Sequence, residues 1–179
     1  MKLYEEIMAV FPEIDLQPEA NLFSNQKNIY DYILSAAYYK GLAGYCKLKS
    51  PKRILEIGTC TGASAVCMAK YSSNILTLDV VDANINFAAL ATKNILFQKV
   101  TPQEVLEFNF SDFDFIFVDI DHTGDTEKLL HQLFKAQYHG IVFWDDVQMN
   151  PAMKSFWDTV DCPKIVTNWH FTGFGLVEY

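Results

Sequence analysis

The sequence predicts an α/β fold built on a mostly parallel, seven-stranded sheet that ends in an antiparallel hairpin. Three observations carry this prediction. From Lys52 onward, short apolar runs alternate with amphipathic ones, as parallel strands alternate with crossover helices. The first apolar run ends in Glu56-Ile57-Gly58-Thr59-Cys60-Thr61-Gly62, a glycine turn placed where open α/β sheets bind ligands. The last two apolar runs are separated only by Phe171-Thr172-Gly173, too short for a crossover helix, so they pair as a hairpin.

The elements follow in chain order. Residues 2–11 suit a short amphipathic helix with Leu3, Ile7 and Phe11 on one side. Pro12 and Pro18 bracket a loop. A long helix is expected over 25–47, capped by Ser24 and open to a break near Gly41 or Gly44. Its tyrosines (Tyr30, Tyr32, Tyr38, Tyr39, Tyr45) read as packing residues, and part of that face could meet a substrate or a second subunit. Strands are expected at 53–57, 75–80, 95–100, 113–120 and 141–144, with the hairpin strands at 164–170 and 174–178. Helices are expected at 62–71, at 82–93 with Asp82 as its cap, at 125–138 with Gly140 marking its end, and at 150–160. Thr101-Pro102-Gln103-Glu104 has the cap, the first-turn proline and the acid of a capping box. Residues 1–48 thus form a helical segment that packs on a core of residues 49–179, one domain in all.

Bulk properties narrow the function. The chain has 179 residues, half of them apolar, enough for one domain with a real core. The net charge of −8 argues against nucleic acid, whose binding leans on Lys and Arg. No apolar run approaches the roughly 20 residues of a membrane span. Acids near Met1 replace the basic and apolar run of a signal peptide, and the four cysteines show no paired spacing. A reduced, cytoplasmic chain is the simplest expectation.

The glycine turn points to a ligand type. Dinucleotide turns run G-x-G-x-x-G and hold a pyrophosphate. Here the spacing is E-x-G-x-x-x-G, and a carboxylate at Glu56 opposes a pyrophosphate while suiting an ammonium group. S-adenosylmethionine carries an ammonium and no phosphate. Gly58 permits a tight turn, and Gly62 opens a helix whose first N–H groups, near Thr61 and Ser64, suit a carboxylate. Asp79 ends the second strand 21 positions after Gly58, where an acid accepts hydrogen bonds from ribose hydroxyls.

A second constellation lies at the neighbouring strand ends. The fourth strand runs into Asp119-Ile120-Asp121-His122 and the fifth into Asp145-Asp146. Gathered carboxylates repel each other unless a cation or donors neutralise them. Oxygen donors suit a hard dication such as Mg²⁺.

The five alternating strands followed by a hairpin resemble the class I methyltransferase fold, a Rossmann-like sheet ordered 3-2-1-4-5-7-6. Leu55-Glu56-Ile57-Gly58-Thr59-Cys60-Thr61-Gly62 resembles the turn of the metal-dependent catechol and caffeoyl-CoA O-methyltransferases. Phe115-Ile116-Phe117-Val118-Asp119 resembles their fourth strand, and Asp145-Asp146 stands where they have Asp-Asn. His122 replaces their catalytic lysine, as in the macrocin-type sugar O-methyltransferases that share an Asp-x-Asp-His signature. The resemblance implies Asp119, Asp145 and Asp146 as metal ligands and His122 as the catalytic base. Asp121 is a further ligand candidate or a partner that orients His122. The cofactor set it implies is Glu56, Gly58, Thr59, Thr61, Gly62, Ser64, Asp79, Thr101 and Asp119, with Thr101 near the adenine. His131, His139 and His170 are given no role.

The function these readings lead to is S-adenosylmethionine-dependent O-methylation of a small molecule, a sugar or other diol, with a divalent cation. A homodimer is the candidate assembly, with no nucleic acid or membrane partner. The alternatives are a non-catalytic methyltransferase-fold protein and, less favoured, an NAD-linked oxidoreductase.

Overall fold

The computed structural model describes residues 2–179. Helices α1 (Lys2–Val10), α2 (Gln17–Asn21), α3 (Lys27–Ser35) and α4 (Ala37–Lys49) precede the sheet. Then come β1 (Ile54–Ile57), α5 (Ala63–Met68), β2 (Ile75–Asp79), α6 (Phe87–Thr92), β3 (Leu96–Lys99) and α7 (Pro102–Leu106). The chain continues through β4 (Phe115–Val118), α8 (Asp125–Gln137), β5 (Ile141–Trp144), α9 (Pro151–Thr159), β6 (Lys164–Thr167) and β7 (Phe174–Glu178).

The sheet order is β3-β2-β1-β4-β5-β7-β6. The first four pairings are parallel, and β7 runs antiparallel to both β5 and β6. Alternate residues of the central strands face opposite layers, as the pleat requires. Ile54, Phe115, Phe117 and Phe143 join Leu42, Tyr45 and the rest of the N-terminal layer. Leu55, Ile57, Ile116, Val118 and Trp144 meet Leu130, Phe134 and Phe156 of α8 and α9. Burial on both faces explains why these strands read as continuous apolar runs.

Several boundaries differ from expectation. The long N-terminal helix breaks at Ala36, whose backbone is extended (φ −80°, ψ 121°), and not at a glycine. Gly41 and Gly44 lie inside α4, where they make room: a Cβ on Gly41 would sit 2.4 Å from the Trp169 ring. Gln26, not Ser24, precedes α3. Asp82 does not cap α6; Asn86 does, accepting from the Ala89 N–H at 3.1 Å, while Asp82 meets Lys99. That helix is only Phe87–Thr92, because the segment between β2 and β3 is short. Pro12 and Pro18 lie in a 3-10 turn and in the first turn of α2. The end of α8 is set by extended Tyr138 rather than by Gly140. The capping box at Thr101 and Glu104 forms as read.

Buried Glu19 ties the N-terminal layer to the core. Its carboxylate meets Lys70 at 3.0 Å and Lys93 at 2.8 Å, so one residue of α2 holds the segments that follow α5 and α6.

Gly58 fixes how closely the first turn approaches the fourth strand. It has φ +104°, and a Cβ there would lie 1.7 Å from the carbonyl oxygen of Asp119. Gly58→Ala combines that backbone collision with left-handed strain. It is expected to destabilise the chain by roughly 3 kcal/mol or more in urea denaturation.

Candidate active site

The carboxyl ends of β1, β2, β4 and β5 form one rim. Its first part is the glycine turn. Asp79 Oδ2 accepts the Thr59 and Cys60 N–H groups at 3.0 and 2.9 Å, and Oδ1 accepts the Val81 N–H at 3.1 Å. One strand-end acid thereby shapes the turn of the neighbouring strand. Beside it lies a cavity of about 350 Å³ with Gly58, Cys60, Asp79, Val100 and Asp119 among its walls. Val81, Pro102 and Val105 make one side apolar, while Asp119 and Asp121 stand at the other. Across the turn, a cleft of about 570 Å³ runs between the start of α3, at Gln26 to Ile29, and Thr61. Asn84 borders both spaces.

The sequence-predicted cofactor residues divide by position. Gly58, Asp79 and Asp119 line the first cavity, and Thr61 lines the second cleft. Thr101 lies off the wall, committed to its capping box, although Val100 and Pro102 on either side of it are on the wall. Gly62 opens α5 at φ +85°, packed against Leu90. Glu56, Thr59 and Ser64 are buried behind the turn. Glu56 lies within β1, and its carboxyl groups with the hydroxyls of Ser64 and Thr77; Thr77 also meets Thr59 at 2.7 Å. Glu56 thus lies in the core within β1, and it is not among the residues that wall the cavity. Burial pushes its carboxyl up to about 8, against the Ser64 and Thr77 hydrogen bonds.

The second part of the rim is a cluster of acids and imidazoles. Asp119, His122 and Asp146 place donor atoms within 4.8 Å of one another, and Asp145, Asp146 and His170 do the same. Asp119, Asp145 and Asp146 are not one of the converging sets among the described residues. Strand alternation explains this departure from expectation. Asp145 follows Phe143 on the face of the N-terminal layer, where its Oδ1 accepts from His170 Nδ1 at 2.9 Å and from the Asp146 N–H at 2.9 Å. Asp121 is neither ligand nor orienter of His122; it accepts from Thr123 and Thr126 as a loop cap.

His122 has Nε2 at 3.2 Å from both Asp119 Oδ1 and Asp146 Oδ2. That nitrogen is buried and aligned for a hydrogen bond with neither. The backbone holds it there: buried Glu127 accepts the His122 N–H at 3.1 Å, and Asn150 donates to the His122 carbonyl at 3.0 Å. Both His122 and Asp146 adopt left-handed backbone (φ +57°), strain of the kind that collects at functional sites. The adjoining Asp119 carboxylate, with Asp146, holds the His122 imidazole above its ordinary range.

His170, in the hairpin, can face the site by its position, but no pattern in the sequence assigns it a partner. Its Nε2 meets the Tyr32 hydroxyl at 2.9 Å and its Nδ1 faces Asp145 and Asp146. Burial opposes its charge, but hydrogen bonds to the two carboxylates outweigh that and raise it to about 10. Burial raises Asp145, whereas the His170 and Thr172 hydrogen bonds outweigh burial at Asp146 and lower it. Two carboxylates face one imidazole, so His170 carries the proton. Two members of the aromatic stripe reach the site: Tyr32 through its hydroxyl, and Tyr38, whose ring centroid lies 5.2 Å from that of His170. A donor set of two carboxylates and one unpaired imidazole nitrogen fits a divalent cation at the Asp119, His122 and Asp146 group.

The whole fold is shared with solved structures. An SAH-bound methyltransferase of Podospora anserina, PaMTH1, superposes with a TM-score of 0.70 at 16% identity, covering 99% of this chain and 95% of that one. An O-methyltransferase from Bacillus cereus in complex with SAH gives 0.64 at 19% identity, with 100% and 91% covered. The O-methyltransferase TomG of Streptomyces achromogenes, involved in tomaymycin synthesis and solved with SAM, gives 0.65 at 20% identity, with 91% and 88% covered. This chain therefore has the class I methyltransferase fold. No protein-family model matches the sequence, and no curated protein matches it. No helix among the described residues is long and apolar enough to cross a membrane.

The raised Glu56 predicts a pH dependence with a definite sign. The unfolded chain loses this proton near pH 4.5 and the folded chain near 8, so the folded state binds more protons between them. Stability contributed by the neutral carboxyl is full below pH 4.5 and falls as pH rises through that window. Glu56→Gln, which mimics the neutral acid, is expected to exceed wild type by about 2 kcal/mol or more at pH 8 in urea denaturation, with the difference vanishing near pH 4.

Proposed function

We propose that this protein is an S-adenosylmethionine-dependent O-methyltransferase acting on a hydroxyl of a small molecule, a sugar or other diol, with a divalent cation at the rim. The observation that carries the reading is the continuity of the two parts of the rim through one residue. Asp119 both walls the 350 Å³ cavity and faces His122 in the acid and imidazole cluster. A methyl donor in that cavity would present its reactive end to the cluster.

The chain's own residues supply binding and alignment. Asp79 accepts three backbone N–H groups that shape the turn and keeps one lone pair, on Oδ1, for a ribose hydroxyl. Val81, Val100 and Val105 offer an apolar surface to an adenine ring. Cys60 and Gly58 let the ligand approach the backbone. His170, as imidazolium, offsets the charge that Asp146 adds to the resembled Asp-Asn pair. A bound divalent cation lowers the pKa of a coordinated hydroxyl and so favours the alkoxide nucleophile that methyl transfer needs. Holding that oxygen in line with the methyl group can supply several kcal/mol of the barrier. A dinucleotide is disfavoured, because the turn lacks the G-x-G-x-x-G spacing that holds a pyrophosphate and Asp119 walls the cavity beside it.

Calorimetric titration tests the reading. S-adenosylmethionine is expected to bind at micromolar concentration and NAD not at all, and Asp79→Ala is expected to weaken binding at least tenfold. Binding of NAD, or absence of S-adenosylmethionine binding with and without a divalent cation, would overturn it.

A further inference from the structure

We infer that the rim cation is held by Asp119, Asp146 and the His122 ring nitrogen, and that His170 withholds Asp145 from it. The inference rests on the cation-assisted reading above and changes its ligand set. It also moves His122 from proton acceptor to ligand.

Four observations converge on it. First, His122 Nε2 stands 3.2 Å from Asp119 Oδ1 and 3.2 Å from Asp146 Oδ2, so three donors from the loops after β4 and β5 point at one spot. Second, this nitrogen is buried without a hydrogen bond. A buried polar atom in that state is unfavourable, and a ligand on the nitrogen removes that cost. Glu127 and Asn150 bond the His122 N–H and carbonyl, so the backbone that carries the ring is fixed in place.

Third, the rival donor group is already satisfied. Asp145 Oδ1 accepts from His170 and from the Asp146 N–H, and the other His170 nitrogen is taken by the Tyr32 hydroxyl. His170 has no lone pair left for a metal while it holds these bonds. Asp145, His170 and Tyr32 therefore form a hydrogen-bonded chain of their own. Fourth, Asp146 is divided between the two groups. Its Oδ1 meets His170 and the Thr172 hydroxyl, while its Oδ2 faces His122. His170 and Thr172 thus fix the orientation of Asp146 and leave one oxygen for the cation.

The donor chemistry then selects the metal. Mg²⁺ favours oxygen ligands and keeps several waters, whereas imidazole nitrogen suits first-row transition dications. The mixed donor set places the site with the first-row transition dications rather than with Mg²⁺, and Mn²⁺ serves as their paramagnetic probe.

The test uses Mn²⁺ alone with the full chain, read by electron paramagnetic resonance. Loss of the free-ion signal counts bound metal, and pulsed spectra report nitrogen bonded to it. One bound Mn²⁺ with directly coordinated ¹⁴N is expected, converting to the ¹⁵N pattern when the histidines are ¹⁵N-labelled. His122→Gln should abolish the nitrogen coupling and weaken binding at least tenfold; His170→Gln should keep the coupling. Bound Mn²⁺ without nitrogen coupling, coupling that is lost in His170→Gln instead, or no saturable binding would each overturn the inference. The labelling arm decides the nitrogen question even if His122→Gln fails to fold. Calorimetry with S-adenosylmethionine on the same samples separates the two failures: binding that persists without the metal result leaves the methyltransferase reading standing, and its absence removes both.

Discussion

The rim depends on a single close approach. The turn after β1 can pass under the end of β4 only because Gly58 has no side chain, and the Asp79 carboxylate holds that turn by two backbone N–H groups. This geometry sets the cavity wall and brings Asp119 to its edge. The cluster beyond Asp119 then has a fixed first member. The rest of the site is an exercise in neutralising carboxylates: His170 serves Asp145, and one nitrogen of His122 stands between Asp119 and Asp146. Without those imidazoles, three acids at adjacent strand ends would repel one another.

Strain and burial are concentrated at the same place. His122 and Asp146 share left-handed backbone, as does Cys60 of the turn. Their surroundings over-determine them. Buried Glu127 bonds both the His122 and Gly124 N–H groups, and Asn150 reaches from the start of α9 to the His122 carbonyl. The N-terminal layer contributes through Tyr32 and Tyr38, so α3 and α4 are part of the site and not merely a cover for it.

Much of this was legible in the sequence because it follows from backbone rules. Strand and helix alternation gave the parallel order, the three-residue connection gave the hairpin, and the glycine spacing placed the turn. The place of Asp79 at the end of β2 was legible from its distance to Gly58, but its hold on the turn was not. The grouping of Asp119, His122 and Asp146 was not legible either, because a motif names residues without saying where each carboxylate points. Asp145 and Asp146 are adjacent in sequence, yet strand pleating sends the first to the N-terminal layer and a left-handed turn sends the second to His122. Glu56 was legible as a residue of the first strand, but its burial against Ser64 and Thr77 was not, because those hydroxyls come from α5 and β2. His170 and Tyr32 are 138 positions apart, and only the insertion of β7 beside β5 brings them together. No local pattern encodes that contact.

The proposed function requires that the cavity beside Gly58 and Asp79 receive the donor and that Asp119 join it to the cluster. Backbone amide shifts of the ¹⁵N-labelled chain, titrated with S-adenosylhomocysteine, test it most directly. Shifts are expected at Gly58 to Thr61, at Asp79 to Val81, at Val100 and at Asp119. Shifts confined to Gln26 to Ile29, with Asp79 and Asp119 unmoved, would place the ligand in the other cleft and contradict it.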